Sequence, residues 1–302
     1  MPDAKRGFLL GVAAYVIWGA FPLYWPLLEP SRAVEILAHR VVWSLVVTVA
    51  LVVLLRRTTA LRAVLRDRRK VLLLTAAAIT ISVNWGTYIY GVNSDRVVET
   101  SLGYFINPLV TVLMGVIILR EQLRPAQWVA LGIGFVAVLV LSLDYGRPPV
   151  IALVLAFSFG TYGLAKKSAG VGAIESLTFE TAVLVPIAAS YLVWLGMAGQ
   201  AHFADQGLGH VALLLASGVV TAIPLLCFGA AATRVSMTTL GLLQYLAPIL
   251  QFALGVTLLG EHMPPGRWVG FGLVWLALVV FTAEALRTRR RQLGLAAEAS
   301  AV

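Results

Sequence analysis

Ten apolar runs, each long enough to cross a lipid bilayer, constrain this chain more than any other feature. Crossing about 30 Å of hydrocarbon at about 1.5 Å per residue takes roughly 20 residues. Runs of that order lie near residues 8–28, 36–55, 71–92, 101–119, 127–143, 149–165, 175–196, 211–233, 239–259 and 267–286. Their continuous apolar character predicts helices, because barrel strands alternate with period two. The expected fold class is all-α integral membrane with ten transmembrane helices. Composition agrees: 60% of the residues are hydrophobic and 12% charged, whereas a soluble domain carries about 25% charge. The first run follows Lys5 and Arg6. It is longer than a signal-peptide core and contains Trp18, Pro22 and Pro26, so it reads as an uncleaved first helix.

The net charge of +9 would suggest a nucleic-acid partner in a soluble protein. Here the basic residues sit in short runs between apolar segments, as topology signals do, and no nucleic acid is expected. With a cytoplasmic N-terminus, inside segments hold 18 of the 23 lysines and arginines. Outside segments hold four, Arg32, Arg96, Arg147 and Arg267, and Arg40 lies within a span. This bias places both termini in the cytoplasm. Cys227 is the only cysteine, which excludes an intramolecular disulfide and a CxxC site.

The chain also repeats itself. Pro108, Glu121, Pro125, Trp128 and Gly132 match Pro248, Glu261, Pro265, Trp268 and Gly272 at a shift of 140. Just upstream, Gly91, Arg96, Leu102 and Gly103 match Gly229, Arg234, Leu240 and Gly241 at 138. Glu35 stands opposite Glu175, and Trp18-Gly19 opposite Phe159-Gly160. The period is five spans, an odd number, so the second copy starts on the opposite side of the membrane. Two inverted five-helix repeats are expected, over residues 1–146 and 147–290, followed by a mobile cytoplasmic tail at 291–302. Inverted repeats suit alternating access to a site between the halves.

The pair Trp18-Gly19, the segment from Leu102-Gly103 through Pro108 to Leu119-Arg120-Glu121, and its later copy ending Leu259-Gly260-Glu261 resemble the EamA family of the drug/metabolite transporter superfamily. Within it, HRVVWS (39–44), SLGYFINPLV (101–110), FETAVLVP (179–186) and PLLCFGAAATR (224–234) look like the RarD group. The resemblance covers nearly the whole chain. It implies a ten-helix transporter of small organic solutes in the cytoplasmic (inner) membrane, with a cavity lined mainly from spans 1, 3, 4, 6, 8 and 9. The solute stays open.

Ionisable groups inside spans are costly, about 2.5–3.5 kcal/mol each on an insertion scale, and therefore informative. Arg40 and His39 lie in span 2 and Glu180 in span 7. Arg40 is a candidate contact for an anionic solute or a gate, or else it snorkels to the outer interface. Glu180 is a candidate proton-coupling site or a partner for an amine, or else a structural carboxylate. The two are equivalent under the repeat. Each lies about 8 Å inside its span from opposite faces, which separates them by about 14 Å in depth and argues against a direct salt bridge.

Asn84, Asn107, Gln244 and Gln251 need hydrogen-bond partners in hydrocarbon, which neighbouring helices could supply. With Trp18, Trp85, Tyr88, Tyr104 and Tyr245 they make a candidate substrate cavity, aromatic walls with a few amides. Pro108 and Pro248 are candidate helix breaks in matching places of the two halves. Glu121 and Glu261, near span ends, read as braces for loops. No Walker A, HExxH, GxSxG or EF-hand pattern occurs, and no metal or cofactor is expected.

The reading is a non-enzymatic secondary transporter that exports small metabolites or drugs, with protons as the candidate coupling ion. The rival readings are a membrane sensor or assembly protein docking through the basic 56–70 loop, and an intramembrane enzyme. Oligomeric state is not legible.

Overall fold

The computed structural model describes residues 2–119, 123–232, 234–235 and 243–299. Among the described residues the chain is helical, without strands. In hydrocarbon a helix satisfies its backbone groups within itself, which favours helices in the apolar runs. We number the α-helices α1 (Pro2–Gly19), α2 (Ala33–Leu54), α3 (Thr58–Arg66), α4 (Arg68–Val92), α5 (Val97–Leu119), α6 (Pro125–Tyr145), α7 (Val150–Ala169), α8 (Ala173–Met197), α9 (Gly207–Ala232), α10 (Leu246–Thr257) and α11 (Pro265–Ala299). Among the described residues eight helices are long and apolar enough to cross a membrane, and two shorter apolar stretches, Val150–Lys166 and Leu246–Thr257, accompany them. The surface carries many exposed apolar side chains, with Leu143 83% and Ile187 73% accessible. A protein in water does not leave such a belt uncovered.

Local chemistry sets the helix ends. Asp67 caps α4 by accepting from the backbone N–H groups of Arg69 and Lys70 at 3.0 and 3.2 Å. Gly146 ends α6 and Gly170 ends α7 in the left-handed conformation, at φ 66° and 59°, which glycine adopts without steric cost.

Three expectations change. The first span, expected as one helix over 8–28, is helical only to Gly19 and continues as two 3-10 turns, Phe21–Leu23 and Trp25–Leu28. Pro22 and Pro26 sit inside those turns, where their missing N–H groups stop an α-helix from running on. The run 239–259, expected as one span, holds a turn at Gln244 and Tyr245, and α10 begins only at Leu246, with the candidate break Pro248 in its first turn. There the proline's missing N–H would have had no intrahelical acceptor. Finally, α11 continues to Ala299, so residues 291–299 are helical where an unstructured tail was expected.

The helices pack in pairs. α2 lies on α8, α6 on α11 and α5 on α10. α4 packs on α7 as α1 does on α9, α5 on α7 as α1 does on α10, and α2 on α9 as α4 does on α8. The short α3, absent from the ten runs, lays Val64 against Leu74, Ala169 and Phe179.

Candidate functional site

The first turn of α2 faces the segment joining α8 to α9. Seven residues further on, about 10 Å along the helix, Arg40 enters the interior and is 3% accessible. It does not snorkel. Its Nε donates to the Thr221 hydroxyl of α9 at 2.9 Å. Its guanidinium lies 4.0 Å from the ring centroid of Trp85, 5.0 Å from Trp25 and 5.8 Å from Phe21. The 3-10 turns created by Pro22 and Pro26 deliver Phe21 and Trp25, and α4 delivers Trp85. Tyr24, Tyr88 and Tyr104 stand close enough for their hydroxyls to interact with the Arg40 charge.

From this box an aromatic chain runs onward. Tyr88 and Tyr104 are 5.7 Å apart, Tyr104 and Phe159 6.0 Å, and Phe159 and Tyr162 5.9 Å. Asn84 sits beside it, fully engaged. Its amide donates to the Leu155 carbonyl and the Ser158 hydroxyl at 3.0 and 3.1 Å, and its oxygen accepts from Tyr104 at 3.1 Å. It bridges α4, α5 and α7 rather than presenting a free amide. Ser158 and Tyr162 leave no mark in the repeat and were not anticipated.

The chain ends at Glu180, which is wholly buried. Ser176 donates to one carboxylate oxygen and Tyr162 to the other, at 3.4 Å. Lys166 Nζ stands 3.3 Å from Glu180 and 2.8 Å from the Tyr162 hydroxyl. Arg40 and Glu180 are not bonded to each other. Glu180 has its own cation from α7, a lysine that α7 carries beyond the expected end of its span. Its spacing of four from Tyr162 is the signal that could have revealed it.

The remaining candidates lie apart. Trp18 packs against Tyr15 and Phe228 at 5.2 and 5.8 Å, and its carbonyl accepts from Gln251 at 3.1 Å. Trp18 also borders the cluster of Phe21, Trp25 and Tyr88, so it flanks the box. Tyr245 packs instead with Phe105, Phe252 and Phe271, and Gln244 lies beside it on the turn before α10. Asn107, on α5 one residue before Pro108, keeps a buried oxygen without a partner. Pro108 lies inside a continuous α5. The structure therefore gathers Arg40, Asn84, Trp85, Tyr88 and Tyr104, places Trp18 alongside, and leaves Tyr245 outside.

Two carboxylates matched by the repeat take parallel roles. Glu35, in the first turn of α2, accepts from the backbone N–H of His202 at 2.7 Å and lies 2.8 Å from its ring Nδ1. Glu175, in the first turn of α8, meets Arg57 at 3.3 Å. Glu261 accepts from the Val97 and Val98 backbone N–H groups that open α5, which makes it the expected brace. Burial pushes its carboxyl up to about 7, against the lowering effect of those amides and of Arg267. Glu121 lies outside the described residues. A cavity of about 450 Å³ opens near the end of α8, against His39, Leu192, Phe203 and Asp205. It is separate from the aromatic box. The His39 ring stacks on Phe203 at 4.8 Å.

Comparison with known proteins identifies the architecture. The family described as "EamA-like transporter family" matches the chain twice, over residues 5–143 and 148–283. Protein RarD of Streptomyces exfoliatus is 60% identical over 289 residues, which cover 96% of this chain and 92% of that protein. Protein RarD of Escherichia coli (strain K12) is 42% identical over 289 residues, covering 96% and 98%. A solved crystal structure superposes with a TM-score of 0.61 over 94% of this chain and 99% of its own, at 19% identity, a likeness of fold alone.

Proposed function

The chain belongs to the EamA-like transporter family, and from that premise we propose a RarD-like secondary transporter that exports small organic solutes by alternating access. In this reading ten helices form two inverted repeats, residues 1–146 and 147–290, in the cytoplasmic membrane of a bacterium, with both termini in the cytoplasm. The solute site is the aromatic box and its flank, Arg40, Trp85, Tyr88, Tyr104 and Trp18, at the meeting of the halves.

The observation that carries the reading is the exchange symmetry of the packing. Swapping α1, α2, α4, α5 and α6 for α7, α8, α9, α10 and α11 maps the most extensive packings between the halves onto one another: α4–α7 becomes α9–α1, α5–α7 becomes α10–α1, α2–α9 becomes α8–α4, and α2–α8 becomes itself. Two halves so related can trade conformations, and the trade moves the opening from one face to the other. The Arg40–Thr221 bond spans the halves, so the box must change when they part.

Proton coupling enters this reading through Glu180. A proton on its carboxylate discharges the pair with Lys166 and loosens α7 from α8, which links protonation to the second half's geometry. Proteoliposome flux tests both parts. A panel of organic acids, amines and amino acids, at imposed pH gradients, should yield a transported solute whose flux follows the gradient. In a folded Glu180→Gln variant, flux should persist without following the gradient. Flux in that variant that still follows the gradient would remove the proton role, and no flux of any solute in the wild-type protein would remove the transport reading.

A further inference from the structure

We propose that Arg40 and the donors around it form a seat for the carboxylate of a small organic monoanion, a proposal that rests on the transport reading for how the solute reaches the box. Arg40 is the only lysine or arginine among the described residues that is fully buried. The other buried ionisable side chains have partners at hand: Glu180 has Lys166, Glu99 has Arg96 and Arg147, Glu175 has Arg57, and Glu35 accepts from the His202 backbone N–H and lies against its ring nitrogen. Arg40 has a hydroxyl and three rings. A desolvated cation–π contact contributes about 2 kcal/mol, while burying an unpaired ion costs several kcal/mol even after relaxation. The box is electrically complete only with an anion in it.

The hydrogen-bonding inventory points the same way. Thr221 occupies Nε, which leaves the two Nη groups, without partners among the described residues, as an end-on fork of the shape that a carboxylate fits. Trp25 Nε1 and the Tyr88 hydroxyl are also buried and unpartnered. Trp25 lies beneath the guanidinium, and Tyr88 is close enough to act on its charge. The hydroxyls of Tyr24 and Tyr104 are committed elsewhere, to the Leu213 carbonyl and to Asn84.

The box thus offers a cation and two spare donors, with aromatic walls for an apolar body. One positive charge matches one negative charge. A phosphate dianion would leave an uncompensated charge in the same place, which selects a monocarboxylate.

Equilibrium binding to purified protein in nanodiscs, read from the intrinsic tryptophan fluorescence, to which Trp25 and Trp85 contribute, and from the melting temperature, tests the seat without needing a gradient. Benzoate is the probe, with benzylamine, benzyl alcohol and phenyl phosphate as controls. Benzoate should quench and stabilise, and the amine and the alcohol should do neither. Phenyl phosphate should bind more weakly than benzoate. Arg40→Gln should abolish the effect, and Tyr88→Phe, which keeps the ring, should weaken benzoate about tenfold, as losing one hydrogen bond to a charged group does.

The proposal is overturned by benzylamine or benzyl alcohol binding as well as benzoate, by tighter phosphate binding, by benzoate affinity that survives Arg40→Gln, or by unchanged affinity in folded Tyr88→Phe protein. Benzoate binding with no flux of any acid would leave the seat standing and count against transport. Solute flux that ignores Arg40→Gln, with no benzoate binding, would do the reverse.

Discussion

Lys166 and Glu180 form an ion pair with the carboxylate wholly buried. Removing one member of such a pair strands the other charge and typically costs about 3–5 kcal/mol, whereas a matched apolar pair is often neutral. Lys166→Met should therefore lower the Tm in detergent more than Lys166→Met combined with Glu180→Leu. A double variant that melts no higher than the single one would show that the pair is not what links α7 and α8. Glu261 supplies a second test, in pH. Its folded-state value of about 7 lies above the usual carboxylate range, so its contribution to stability is fully present below about 4.5 and is lost as pH rises through 7. The Tm of the wild type relative to Glu261→Gln should fall between pH 5 and pH 8. A difference that is flat or rises with pH contradicts the assigned burial. At this scale the sequence was half legible. Arg40 and Glu180 stood out because charge is rare in apolar runs, and the matched pair Glu35 and Glu175 proved to be matched first-turn carboxylates. Lys166, Thr221 and the Trp25 box did not stand out, because their roles depend on which helices face each other, and periodicity does not encode that.

Among the helices, α2 and α9 approach each other backbone to backbone. A Cβ on Gly218 would lie 2.4 Å from the backbone carbon and oxygen of Trp43, atoms that move only if the helix moves. Gly103 is similarly tight against Ala152 and Leu155 of α7, at 2.8 Å. The repeat-matched Gly132 and Gly272 have nothing within 4 Å. Overpacking costs about 1–3 kcal/mol where side chains can yield, and more where backbone must. Gly218→Ala should thus reduce folded yield and Tm clearly, and Gly132→Ala should leave both near wild type. Equal effects from the two would contradict the α2–α9 contact, which carries the Arg40–Thr221 bond. Runs of about 20 apolar residues predicted the spanning helices well, because the bilayer sets their length. The ends were less legible. The first span turns into 3-10 geometry at its prolines, and the run holding Pro248 carries a turn at Gln244 and Tyr245, since a proline's effect depends on where the helix starts.

Seen whole, the molecule ties its halves together through several polar contacts. His202 reaches Glu35, His210 lies 3.0 Å from Ser31, Arg267 meets Asp144 at 3.2 Å, and Glu261 caps α5. Each of these joins a residue before 147 to one after it. The repeat was visible in the sequence as matches at shifts of 140 and 138, and the two family matches cover residues 5–143 and 148–283. The identity of the solute was not visible, because the proposed site draws its side chains from several separate stretches. The account as a whole rests on opposite insertion of the two halves. In a Cys227→Ser background, which removes the only native cysteine, single cysteines at Lys5 and at Pro148, each at the start of one half, should react with a membrane-impermeant maleimide from opposite sides of inner-membrane vesicles of known orientation: Lys5→Cys from the cytoplasmic face and Pro148→Cys from the other. Labelling of both from the same face would contradict the inverted arrangement and the alternating access built on it.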